Sequence, residues 1–455
     1  MSTFLFTLLG LTVGSTDPCA VRREIAPCTC RLEEPKLKRV IIACEQMATF
    51  ADIIEMLGNR FPPEQDISLK INYSQLNDMA GRSFKELGMK VSNLKLTFDN
   101  LSHLPESSFT GLGEVEYFSL ADNRLLEIPR DVLRRMPKLK TLDLGRSRIS
   151  SLRNEDFRDL PVLQHLLLPG NLLSDIEADS LNGSLRGLTD LEWLFINENR
   201  LTTLHEQLPA EAPKLNLIHA GNNHLPKLPP ELRNYPNIDA LFLSNNDLVS
   251  VDGVLQKARR LKKLDLSHNK IYALADDDFA ETENMEELQL GYNFLKRLDR
   301  SFLPMKKLRI LNLTHNLLEE FSFEEIRGLI NLQLLDLSHN KIAELTGRKN
   351  VVEAGTRVRV LKLEHNEIKA IGGSLLGIRG LQRLDLSHNK LMNIAPDDLI
   401  DLEDLRFLDI SHNLLTTLEE TSKTFLPRLE ELIVKQQFAE HAAEGFPRIA
   451  RSLQG

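Results

Sequence analysis

Six histidines, His268, His315, His339, His365, His388 and His412, each stand directly before an asparagine in a recurring stretch of sequence. Side chains repeated in this way and stacked about 5 Å apart would suit a metal ladder or a row of proton-sensing groups. Acidification of such a row would charge neighbours together and loosen the C-terminal part of the chain. The plainer reading, and the favoured one, is that Ser-His-Asn is the vocabulary of a polar turn. These triplets do not make a nucleophile, a base and an orienter, because sequence neighbours do not converge on a cleft. Asp276-Asp277-Asp278 lacks the ligand spacing of a calcium loop and reads as a solvated acidic turn. The chain has no phosphate-binding glycine loop, no HExxH, no GxSxG and no dinucleotide-binding glycines. The sequence therefore predicts no enzyme, no cofactor and no metal.

The cysteines carry different chemistry. All four, Cys19, Cys28, Cys30 and Cys44, lie in one N-terminal segment. An even set confined in this way reads as two disulfides, for which three connectivities are open. A zinc site is the weaker alternative, since no CxxC pair is present. Ahead of them, Phe4 to Val13 is apolar and Gly14-Ser15-Thr16 is small, the pattern of a secretory signal peptide over residues 1–15. The run is too short to span a bilayer. Net charge is −9, with Lys and Arg dispersed, which argues against nucleic acid as a partner.

The elements that would position these residues are repeats. Leu264-Asp265-Leu266-Ser267-His268-Asn269-Lys270-Ile271 returns at Leu335–Ile342 and again at Leu384–Leu391. The frame LxLxxNxL places sixteen slots at Ser74, Asp99, Asn123, Ser147, Asn171, Asn199, Asn223, Asn246, Asn269, Asn293, Asn316, Asn340, Asn366, Asn389, Asn413 and Gln437, and twelve hold Asn. Each LxL run is expected to be a short strand with leucines inward. One such strand cannot bury its apolar side alone, so the repeats must stack into a parallel sheet over a continuous core. The Asn amide, both donor and acceptor, would satisfy backbone groups that the turn leaves inside. Phe84, Phe109 and Phe157, each followed by a leucine, would close the other side of the core. Because Ser74, Asp99 and Ser147 depart from Asn, local irregularity is expected near the N-terminus.

On these residues the chain resembles the extracellular "typical" leucine-rich-repeat class, and Cys19-x8-Cys28-x-Cys30-x13-Cys44 resembles the cysteine cap of that class. It is also similar to secreted arthropod repeat proteins such as the non-catalytic subunit of shrimp luciferase. The resemblance covers about residues 19 to 437 and implies pairing of Cys19 with Cys30 and of Cys28 with Cys44. The expected architecture is an α/β solenoid, a leucine-rich-repeat horseshoe of about 16 repeats with its parallel sheet on the concave face. A signal peptide (1–15), a disulfide-bonded cap (16–65), the repeats (66–437) and a polar tail or non-disulfide cap (438–455) would follow one another. The second cysteine-rich cap common in the class has no counterpart here. No apolar stretch after residue 430 is long enough for a membrane anchor.

Most repeats put polar residues at the central outward position of the strand. Four consecutive repeats carry Leu167, Phe195, His219 and Phe242 there, while Tyr117, His165, Trp193 and Leu217 fill the first outward position. A sheet face that needs no burial should not collect aromatics, so this patch reads as a contact surface. An insertion around Asn182 folding over it, or mere strand preference, is the competing account. Asn72, Asn100, Asn182 and Asn312 begin N-x-Ser/Thr sequons. A glycan on Asn312 would obstruct the C-terminal half of the face. The sequence thus predicts a secreted protein binding an extracellular protein or glycoprotein through its concave face, without membrane insertion. The alternative is the ectodomain of an adhesion molecule or receptor whose anchor lies outside this chain.

Overall fold

The structure, a computed structural model, describes residues 18–33, 39–153, 156–174, 185, 187–209, 212–347, 357–415 and 426–435. The expected signal peptide, Asn182 with its insertion, Gln437 and the tail 438–455 lie outside the described residues. The chain forms two compact units, Met1–Arg148 and Ile149–Gly455.

The first unit opens with the cysteine segment. Strand Thr29–Leu32 runs antiparallel to Val40–Glu45, and disulfides join Cys19 to Cys30 and Cys28 to Cys44, the pairing that the resemblance implies. Thr49 caps the following helix, Phe50–Leu57, by accepting the N–H of Asp52 at 3.0 Å. The helix buries Phe50, Ile53, Ile54 and Leu57. Val40–Glu45 also pairs in parallel with Asp66–Asn72, so the cap starts the sheet that the repeats continue. The next strands are Lys90–Thr97, Tyr117–Ser119 and Thr141–Asp143, all parallel. The expected irregularity takes the form of a register shift between Ile67 and Ser68. Beneath the strands, Phe50, Phe84, Phe109 and Phe118 touch in succession with ring centroids 5.0, 5.4 and 6.0 Å apart.

Among its described residues the second unit stacks twelve three-residue strands, from His165–Leu167 to Glu431–Ile433, each parallel to the next. In each the central residue is buried while its neighbours face outward, as the LxL alternation requires. A separate parallel pair joins Glu320–Ser322 to Glu344–Thr346. The return segments are turns and short 3-10 helices, because a repeat of 23 or 24 residues leaves little room for an α-helix.

Asparagine side chains bind one turn to the next. Asn223 Nδ2 donates to the carbonyls of Ile196 and Ala220, both at 3.1 Å, and its Oδ1 accepts the N–H of Leu201 at 3.0 Å. Asn246, Asn269, Asn293, Asn316, Asn340, Asn366, Asn389 and Asn413 repeat the arrangement, all buried. Leaving such a backbone group unmet costs about 1–3 kcal/mol.

Asp99 replaces the amide with an acid. Its Oδ1 accepts the N–H of Ser74 at 2.7 Å, but its buried Oδ2 has no partner among the described residues. In the next repeat Asn123 Nδ2 donates to the carbonyls of Leu96, Leu120 and Ala121. Only a protonated carboxyl can make a donation of that kind. Burial pushes the Asp99 carboxyl up to about 7, against the opposing pull of the Ser74 N–H. A carboxyl raised in the folded state favours folding fully only below its unfolded value near 4, and that contribution is lost as pH rises through about 7. Asp99→Asn should therefore stabilise the chain, by about 1–3 kcal/mol at pH 8 and by less at pH 5. Urea denaturation at the two pH values measures this; a gain that does not depend on pH would refute it.

Candidate partner-binding face

The aromatic residues singled out in the sequence meet on the open face of the sheet in the second unit. Strand pairing sets His165, Trp193 and Leu217 in one row, and Leu167, Phe195, His219 and Phe242 in the next. The imidazole of His165 stacks on Trp193 with centroids 3.9 Å apart and planes 23° apart. Phe195, His219 and Phe242 follow at 5.6 and 5.5 Å. Trp193 remains 40% exposed, and the others are half-buried. Tyr117 belongs to the first unit, where it is half-buried with the Lys95 ammonium 4.8 Å over its ring.

Burial holds the imidazoles of His165 and His219 below the ordinary range. Glu192 opposes the shift at His165, and Asp265 and Glu198 oppose it at His219. His219 Nδ1 and Asn197 Oδ1 are both buried and have no hydrogen-bond partner among the described residues. Sequence reasoning passed over Asn197, although its place at the third outward position was readable from the repeat frame.

Farther along the same face the residues are of another kind. Asp265, Asp336, Asp385 and Asp409 accept the N–H groups of Ser267, Ser338, Ser387 and Ser411 at 2.9–3.1 Å. Asn312 makes the same turn with Thr314 at 3.0 Å. Ile310, Leu334 and Val360 form a half-buried apolar row at the first outward position, which aromatic content alone does not reveal. Burial pushes the Glu364 carboxyl up to about 7. Of the remaining sequons, Asn72 is half-buried and accepts the Thr97 hydroxyl at 2.6 Å, while Asn100 is exposed.

The histidine row forms a stack. His268, Tyr292, His315, His339, His365, His388 and His412 follow one another with ring centroids 4.1–4.3 Å apart and planes 8–17° apart. Tyr292 fills the one place in the row that the histidine count left open. Every member has φ between 51° and 57°. That left-handed backbone tolerates His and Asn and excludes β-branched residues, which explains the composition of the slot. Parallel rings hold their nitrogens side by side instead of converging on one point. Among the described residues no group of three or more His, Cys, Asp or Glu could hold a metal.

Burial, and after it the neighbouring imidazoles, lower the pKa of His339, His365 and His388; for His315 burial leads and His268 and His365 add to it. Asp336, Asp385 and Asp409 oppose these shifts. A histidine lowered in the folded state favours folding fully above the ordinary value near 6.5 and loses that contribution as pH falls below it. Amide hydrogen exchange over residues 315–412, corrected for intrinsic rate, should be faster at pH 5 than at pH 7.5. Equal protection at both would show that the stack does not sense protons.

The in-register leucine strands, the buried asparagines and the disulfide-bonded cap define the class: the chain is a leucine-rich-repeat protein. The leucine rich repeat family matches residues 114–173, 259–318, 283–342 and 356–415. Human podocan-like protein 1 is 26% identical over 248 residues, 54% of this chain and 46% of that one. Mouse mimecan is 32% identical over 159 residues, 34% of this chain and 50% of that one. The chain thus spans half or less of the length of these curated relatives. Among solved structures, a leucine-rich-repeat protein of Leptospira interrogans superposes with a TM-score of 0.66 at 23% identity, covering 88% of this chain and 90% of that one, a likeness of fold.

Proposed function

We propose that this protein acts outside the cell as a binding protein, recognising another protein or glycoprotein through the aromatic cluster on the open sheet face of its second unit. Matrix, signalling, immune and accessory-subunit roles all fit such a surface. The observation that carries the reading is the placement of Trp193, Phe195 and Phe242 at outward positions, where the solenoid needs no burial. Large aromatic side chains dominate protein interfaces because they bury much area at small entropic loss. Two disulfides in the cap suit an oxidising compartment. Among the described residues no helix is long and apolar enough to cross a membrane.

The direct test is capture of partners from extracellular extract by the wild-type chain and by Trp193→Ala/Phe195→Ala, with mass spectrometry of what is retained. The double substitution should weaken the specific partner at least about tenfold, equivalent to 1.4 kcal/mol. Equal retention by both would move binding away from this cluster.

A further inference from the structure

Resting on the reading that the aromatic cluster is the partner site, we infer that the group seated there is an arginine side chain of the partner protein. The first observation is an unmet acceptor. Asn197 is only 8% exposed, its Nδ2 donates to Glu198 Oε1 at 3.1 Å, and its Oδ1 has no partner among the described residues. His219 Nδ1, on the adjoining strand, is likewise unmet. A neutral imidazole carries one N–H and one bare nitrogen, so Nδ1 offers a donor or an acceptor according to its tautomer. Buried acceptors without donors are penalised, so a ligand that brings N–H groups is rewarded beyond the area it covers.

The second observation is charge. The carboxylates of Glu198 and Asp265 act on His219, and that of Glu192 acts on His165. The outward-facing cations farther along the sheet are already engaged. Lys263 meets Glu287 at 3.8 Å, Lys362 meets Asp336 at 3.0 Å, and Arg383 lies on the Phe407 ring. Asp265 and Asp385 instead bond a serine hydroxyl and a backbone N–H. The face therefore offers negative charge in excess, and its complement is a cation.

The third observation selects arginine over lysine. A guanidinium is planar, carries several donors in a fixed fork and stacks on aromatic faces, whereas an ammonium is a compact, strongly hydrated point charge. The protein displays the pairing itself, with the Arg383 guanidinium carbon 3.6 Å from the Phe407 ring centroid on the same sheet face. Asn197 stands two residues past Phe195, at the next outward position of the same repeat, and Glu198 adjoins it. An incoming guanidinium thus gains an aromatic wall, an amide acceptor and a carboxylate in one place.

Trp193 is the single tryptophan of the chain, so fluorescence excited selectively at tryptophan reports on this cluster. N-acetylarginine amide titrated into the full chain should give a saturable change in emission. N-acetylcitrulline amide, of similar shape but uncharged, and N-acetyllysine amide should bind at least about tenfold more weakly. Asn197→Leu should weaken the arginine probe about tenfold, while Asn197→Asp, which keeps an acceptor, should retain it. Thermal melting of both variants verifies that they fold. Equal response to the three probes, or an unchanged titration in Asn197→Leu, would overturn the inference. If the arginine probe fails while Trp193→Ala/Phe195→Ala still loses its captured partner, the partner site stands and arginine does not. If the probe binds but the double substitution keeps its partner, the cation seat is not where the partner docks, and the inference falls with the site.

Discussion

The fold depends on one buried amide repeated along the chain. A solenoid of short repeats must reverse direction at every turn, and each reversal leaves N–H and C=O groups facing the interior without a strand to pair them. The asparagine side chain resolves this because it donates and accepts at once. In the second unit it links a carbonyl and an N–H of the preceding turn to the carbonyl of its own turn with nearly constant geometry, as at Asn246 and Asn340. Leucine burial supplies the driving force for stacking, but it has no direction. The amide fixes the register of one turn on the next, so all the outward positions fall into straight rows.

That division of labour makes the surface interpretable. Inward leucines and slot asparagines answer the needs of folding, leaving the outward strand positions unconstrained except by solubility. Asp265, Asp385 and Asp409 use that freedom conservatively, tying down the turn that follows. Trp193, Phe195 and Phe242 do not: they expose or half-bury apolar rings that no neighbouring turn requires. The histidine slot is an intermediate case. Its left-handed backbone restricts which residues can stand there, and the stack at 4.1–4.3 Å then follows from the register of the turns.

The period of the repeat made most of the fold readable in advance, because leucine spacing and the slot asparagine are both local signals with strict spacing. The aromatic rows were readable for the same reason: once the frame is aligned, strand pairing puts Trp193 beside Leu217 and Phe195 beside His219 without further information. What escaped depended on neighbours rather than frame. That the Asp99 carboxyl is raised to about 7 follows from its burial. That Asn197 holds an unmet acceptor follows from its amide having turned toward Glu198. Tyr292 completing the ring stack, and the apolar row of Ile310, Leu334 and Val360, follow from the repeat frame but not from histidine or aromatic content.

The two ring systems of the second unit also differ in what covering them would achieve. In the histidine stack each ring has its faces against its neighbours, so little apolar face is left to bury. Its polar edges lie at the surface or close to it, where water meets them. In the aromatic cluster the balance is reversed. Trp193 shows apolar surface to water, and in the same and the adjoining repeat Asn197 Oδ1 and His219 Nδ1 are withdrawn from solvent with no partner among the described residues. Burying the first surface gains little and requires stripping water from polar edges. Burying the second removes apolar area from water and can supply donors that the protein lacks. That difference in local free energy, and not aromatic content alone, favours the cluster over the histidine stack in the proposed role.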